Sequence, residues 1–277
     1  MKYLVLISLT LLTSCARFKT AESKPIAALV VLKIPQTIDE AVVSDYRTST
    51  FKARDIYRHP AETLKFFDLK PNMKVIEISP ANGWYMEIIA PFVSEHGLYI
   101  MGAPAASNDL IKKQESALIT WSKKHPEIAA KMAVATFNLP ADAKLAEPNS
   151  VDMVVTFRNV HNWMAKNNEK IAFKSFYKVL KKGGILGLVE HRAPEKNKKD
   201  PLAKSGYVRE SDVIKMAKAA GFRLVAKSEI NANQKDKKDY PDGVWTLSPT
   251  LKLKEKDREK YLAIGESDRM TLKFVKP

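Results

Sequence analysis

Val75-Ile76-Glu77-Ile78-Ser79-Pro80-Ala81-Asn82-Gly83 runs straight into Trp84-Tyr85-Met86-Glu87-Ile88-Ile89. A strand-length apolar run, a tight turn and a helix start place backbone N–H groups at the C-terminal edge of a sheet. An anionic or carboxylate-bearing ligand can bind there. Outward from this stretch, apolar runs alternate with amphipathic segments, the pattern of an α/β fold. Strands are expected at 74–79, 98–102, 133–137, 151–157, 185–190, 222–230 and 270–275, and helices at 60–67, 84–95, 108–124, 167–181 and 211–220. Phe173, Phe176, Tyr177 and Leu180 form one buried helical stripe that Gly183-Gly184 is expected to stop, and Ser211 is expected to cap the helix that Gly221 ends. The polar, Lys-rich stretch 231–269 interrupts the alternation as a long excursion before the last strand.

Residues 77–83 resemble motif I of class I S-adenosylmethionine (SAM)-dependent methyltransferases, an acid followed by alternating glycines. Leu180-Lys181-Lys182-Gly183-Gly184 is similar to that superfamily's helix-turn-strand element, and Asp152-Met153-Val154-Val155 to its fourth strand. Arg58-His59-Pro60, 77–85, 157–163, 190–192 and 264–270 look like a bacterial group described as predicted methyltransferases, some of them exported. The resemblance covers roughly 54–277 and implies a Rossmann-like, seven-stranded methyltransferase fold with an antiparallel last strand. It implies SAM as cofactor, contacted by Glu77, Ser79, Pro80, Ala81, Gly83, Trp84, Tyr85, Asn138, Arg158 and Asn159. The chain departs from the pattern in having Ser79 and Ala81 where glycines are usual, each Cβ crowding the cofactor surface. It also has no acid in Leu98-Tyr99-Ile100-Met101-Gly102-Ala103-Pro104, where one usually meets the ribose, and Asn138 where an Asp often meets adenine.

In that topology five stretches share one sheet edge. They bring together Glu77; Arg158, Asn159, His161 and Trp163; Glu190, His191 and Arg192; Glu229, Asn231 and Asn233; and Glu266, Asp268 and Arg269. Packing alone requires no such cluster, and open α/β sheets bind ligands at this edge. His161 and His191 are the candidate catalytic bases, with structural hydrogen bonding as their other reading. Arg192, Trp163, Glu229, Asn231, Asp268 and Arg269 are candidate substrate contacts. The arginines can equally pair with Glu77, Glu190 and Asp268. A His161–Glu190–His191 metal site is disfavoured because neighbours on a strand point apart. There is neither a G-x-S-x-G elbow nor a P-loop.

Met1-Lys2 precedes a ten-residue apolar stretch, Tyr3 to Leu12, about half the roughly 20 residues a spanning helix needs. Leu12-Thr13-Ser14-Cys15 follows and resembles the lipobox of bacterial lipoproteins. The resemblance implies a leader at 1–14, a lipidated Cys15 and sorting to the outer membrane, facing the periplasm. Residues 15–50 then read as the lipidated cysteine and its tether, and 51–277 as the methyltransferase-like domain with an insertion at about 231–269.

The 277 residues include 45% hydrophobic types, enough for a sizeable core, which excludes disorder. The one cysteine excludes a disulfide framework and a C-x-x-C zinc site. A formal charge of +15 favours anionic partners, and since no nucleic-acid motif accompanies it, a membrane surface fits better than nucleic acid.

Three functions follow: a SAM-dependent methyltransferase for a small or lipid-like acceptor; a non-catalytic methyltransferase-fold protein binding an anionic envelope ligand; and a metal-assisted hydrolase using His161 and His191. SAM is a cytosolic metabolite, so export weighs toward the second. The resemblance weighs toward the first.

Overall fold

The computed structural model describes residues 32–104, 109–196 and 200–277. The expected leader at 1–14 and Cys15 lie outside the described residues. Leu32–Pro277 is one compact unit. Residues 32–50, expected to belong to a tether, pack on the sheet: Ile38, Ala41 and Tyr46 are buried in the same cluster as Val75 and Ile88. A capping box starts this region, with the Thr37 side chain accepting from the Glu40 amide and Glu40 accepting from the Thr37 amide.

Eight strands form one mixed sheet: β1 Lys74–Ile78, β2 Leu98–Ala103, β3 Met132–Thr136, β4 Val151–Phe157, β5 Leu180–Ala193, β6 Val208–Arg209, β7 Arg223–Ser228 and β8 Arg269–Val275. Their order is β3-β2-β1-β4-β5-β8-β7, and β6 pairs only with β5. The first five pair in parallel, while β8 runs antiparallel between β5 and β7. The short β6 makes the sheet one strand larger than expected. Alternate β1 residues enter opposite cores, Ile76 and Ile78 on one face and Val75 on the other, so helices cover both faces. Among the described residues no helix is long and apolar enough to cross a membrane.

Two of the differences from the expected boundaries have a clear physical reason. The helix Glu169–Val179 ends before the glycines, because Leu180 is extended and already pairs with Val151; Gly183 and Gly184 lie inside β5. Ser211 does not cap Glu210–Ala219. Its amide and hydroxyl instead donate to the Glu195 carboxylate at 3.0 and 2.6 Å, which places an acid beside that helix start.

Candidate functional site

Strand order reverses between β1 and β4, and the crevice beyond their C-terminal ends opens into a cavity of about 800 Å³. The turn after β1 forms one wall. Ser79, Ala81 and Gly83 all adopt left-handed backbone, with φ of 48°, 54° and 87°. The chain thus keeps the conformation that alternating glycines favour while carrying Cβ atoms at two of the three positions, a strain of order 1–3 kcal/mol each. At Gly83 a Cβ would lie 2.9 Å from Leu118 Cδ2 and Met86 Cε, so this glycine serves the packing behind the turn and does not line the cavity. The helix itself starts at Met86. Tyr85 stacks on Phe157 at 3.6 Å, and the Trp84 indole donates to the Phe51 carbonyl.

Glu77 lines the cavity yet is buried, and accepts a 2.8 Å hydrogen bond from Tyr99. Burial pushes its carboxyl up to about 8, against the pull of Tyr99 and of the Arg158 charge. β2 ends in Ala103, which lines the cavity with Pro104, so the end of the strand offers no acid. Asn138 lines the far side, anchored by paired backbone bonds with Asp142.

The two histidines meet at the other end, with ring centroids 5.4 Å apart. The Glu190 carboxylate, fully buried at the end of β5, organises them. One oxygen accepts from the Val160 amide at 2.6 Å and the His161 amide at 3.3 Å. The other lies 3.0 Å from His161 Nδ1 and accepts the His191 amide at 2.8 Å. A carboxylate only accepts, so Nδ1 is the donor to Glu190 and Nε2 is left as the ring's acceptor. His191 Nδ1 lies 2.5 Å from the Ser267 hydroxyl. Burial, reinforced by His161, Arg158, Arg269 and Arg58, pushes His191 well below the usual imidazole range and keeps it neutral.

Ligand atoms of His161, Glu190 and His191 do come within 4.8 Å of one another, contrary to the expected divergence, because Glu190 folds back on its own strand. Both of its oxygens are nevertheless taken by protein donors, and arginine charge surrounds the histidines. The cluster therefore reads as a carboxylate–imidazole pair rather than a cation site.

Of the expected site residues, Glu77, Ser79, Pro80, Ala81, Trp84, Tyr85, Asn138, Arg158, Asn159, His161, Trp163 and His191 line the cavity. The other expected substrate contacts are spent elsewhere. Arg192 holds Glu229 at 2.8 and 2.7 Å and Asp268 at 3.1 and 2.9 Å. Asn231 is buried and donates to Thr63 and Thr271. Arg269 donates to the Tyr57 and Ser267 carbonyls and pairs with Glu266. These groups pin the insertion to β8. Pinned there, the insertion reaches over the site with Val244, Trp245, Ser248 and Pro249, and Trp245 lies edge-on 6.0 Å from His161.

Sequence reasoning assigned no role to Arg54, Arg58, Tyr99 or Ser267. Arg58 and Ser267 fall within the resembling stretches Arg58-His59-Pro60 and 264–270, and Tyr99 within the quoted second strand.

Three solved structures share this architecture. A SAM-dependent methyltransferase from Aquifex aeolicus superposes with a TM-score of 0.52 at 15% identity, over 83% of this chain and 98% of that one. A protein assigned as a sarcosine dimethylglycine methyltransferase, from Galdieria sulphuraria, gives 0.54 at 11% identity, over 91% and 94%. The chain has the class I methyltransferase fold. The [4+2]-cyclase SpnF is as similar, at 0.51 and 13% identity over 85% and 86%, so a methyltransferase fold at this distance does not specify the reaction. No protein-family model and no curated protein matches the sequence.

Proposed function

We propose that the chain is a SAM-dependent methyltransferase for a small or lipid-like acceptor, held at the bacterial envelope, on the periplasmic side of the outer membrane, through a lipidated Cys15. The observation that carries the reaction is the Glu190–His161 pair in the wall of the cavity, on the same sheet edge as the left-handed turn. The residues suit this cofactor: the turn keeps glycine-type backbone, and the cavity is within the range of small-molecule sites. Ser79, Pro80, Ala81, Glu77 and Asn138 would hold SAM, which supplies an electrophilic methyl group when bound. His161 Nε2 takes the proton that the acceptor's nucleophile gives up, while Glu190 holds the Nδ1 proton and the ring orientation. Trp245 and Pro249 of the last long loop contribute to the cavity wall, Trp245 beside His161.

A second reading, a binding protein without turnover, is favoured by β2, Leu98–Ala103, ending without the acid that usually meets the ribose. Calorimetric titration of the full chain with SAM and S-adenosylhomocysteine separates the two. Binding tighter than about 1 mM is expected, with Ala81→Gly tightening it by removing a Cβ from a left-handed position. No heat at millimolar ligand sinks the methyltransferase reading. The anchor has its own test: labelled palmitate should mark the wild-type chain in a bacterial host, and equal labelling of Cys15→Ser would refute lipidation.

A further inference from the structure

The cavity wall carries more positive charge than its acids neutralise. Arg54, Arg58 and Arg269 converge on the buried Glu266, with closest approaches of 2.6, 3.1 and 3.1 Å. Arg158 shares the field of Glu266 but hydrogen-bonds through its side chain to no group among the described residues, and it lines the cavity beside Arg58. Its backbone is fixed, with φ of 62° and its amide donating to the Val189 carbonyl at 2.7 Å, and its side chain lines the cavity. The nearby Glu77 gives little neutralisation, since burial keeps it protonated up to about 8. Burial and the charges of Arg269 and Arg54 lower Arg158 itself to about 10 despite Glu266. Arg54, Arg58 and Arg269 thus take up the Glu266 carboxylate and leave Arg158 with no hydrogen-bonded acid among the described residues, and a buried charge without a partner is costly. Arg58 and Arg158 line the same cavity as His161 and His191.

We propose that this cavity takes a ligand bearing a carboxylate or phosphate group, whose oxyanion is held by the Arg158 guanidinium with Arg58 adding charge behind it. Arg158 presents a planar fork suited to two-point recognition of such oxyanions. Resting on the methyltransferase reading, the anionic group belongs to the acceptor, and its hold at Arg158 brings the nucleophile toward His161.

The test is titration of the full chain with inorganic phosphate at constant ionic strength, with and without saturating S-adenosylhomocysteine, for the wild type, Arg158→Asn and Arg158→Lys. Asparagine tolerates the left-handed backbone, which favours folding of that variant. Phosphate is expected to bind the wild type in both conditions, and about tenfold or more weakly to Arg158→Asn. Arg158→Lys, which keeps the charge and loses the fork, should fall between them. Should Arg158→Asn not fold, weaker binding by Arg158→Lys than by wild type carries the same conclusion. Absence of phosphate binding to the wild type, or equal binding by the variants, overturns the site. Displacement of phosphate by S-adenosylhomocysteine overturns the acceptor assignment and gives Arg158 to the cofactor's own carboxylate. If S-adenosylhomocysteine fails to bind while phosphate binding still depends on Arg158, the methyl-transfer reading falls and the anion site stands.

Discussion

Glu266→Gln should cost the fold about 3–5 kcal/mol at neutral pH, the loss expected when one partner of a buried ion pair is removed. For a chain of this size that lowers the thermal midpoint by roughly 10 °C. Glu266 is 3% exposed and is the carboxylate on which Arg54, Arg58 and Arg269 close. Burial by itself would raise its pKa, but Arg269, Arg58, Arg54 and Arg158 outweigh burial and hold it at about 2. The sign of the pH effect follows. The unfolded chain takes up the proton near 4.5 and the folded chain only near 2, so the contribution is complete above 4.5 and is lost as pH falls from 4.5 through 2. Urea melts across that window should therefore show a shallower acid limb for Glu266→Gln than for the wild type. A midpoint within about 2 °C of wild type would mean that the arginines are neutralised elsewhere. The same variant frees the guanidiniums, so added phosphate should raise its midpoint more than it raises the wild type's.

His161→Gln should lower methyl transfer by about 10²–10⁴-fold, the usual worth of a positioned general base, with S-adenosylhomocysteine affinity unchanged. Glu190→Gln tests how the base is held. Its amide offers one acceptor oxygen where Glu190 serves the Val160 amide, the His161 amide, His161 Nδ1 and the His191 amide. Turnover should fall, whereas His191→Gln, acting through the ring beside Ser267, should have the smaller effect. Once an acceptor is identified, single-turnover rates read these differences. A rate for His161→Gln within threefold of wild type would remove His161 from the chemistry.

The elements closest to the opening stretch were the most legible. Apolar runs of strand length at 74–79 and 151–157 became β1 and β4, because a strand buried on both faces requires apolar residues throughout. Glu77, His161 and His191 were legible as cavity residues because parallel strands deliver their C-terminal ends to one edge. The arginines were not. Arg192 and Arg158 look alike in the sequence, but Arg192 is consumed by Asp268 and Glu229 while Arg158 bonds to no side chain among the described residues. Arg54 and Arg58 escaped notice because their carboxylate partner lies 212 and 208 residues away, beyond any local pattern. Ser211 misled for the same reason, since the acid it binds is Glu195 across a loop.

Local pattern determined the α/β alternation, the strand–turn–helix at 75–90 and the long excursion before the last strand, since each depends on periodicity or turn chemistry within a few residues. Tertiary structure alone decided how the charged groups are spent. Whether an arginine is a structural ion pair or a ligand contact depends on which carboxylates the fold brings within about 3 Å of it, and chain order does not encode that distance. The 79–83 turn shows both levels at once. Its residue types departed from the glycine pattern, and only the packed structure revealed that the left-handed backbone of that pattern is kept without the glycines.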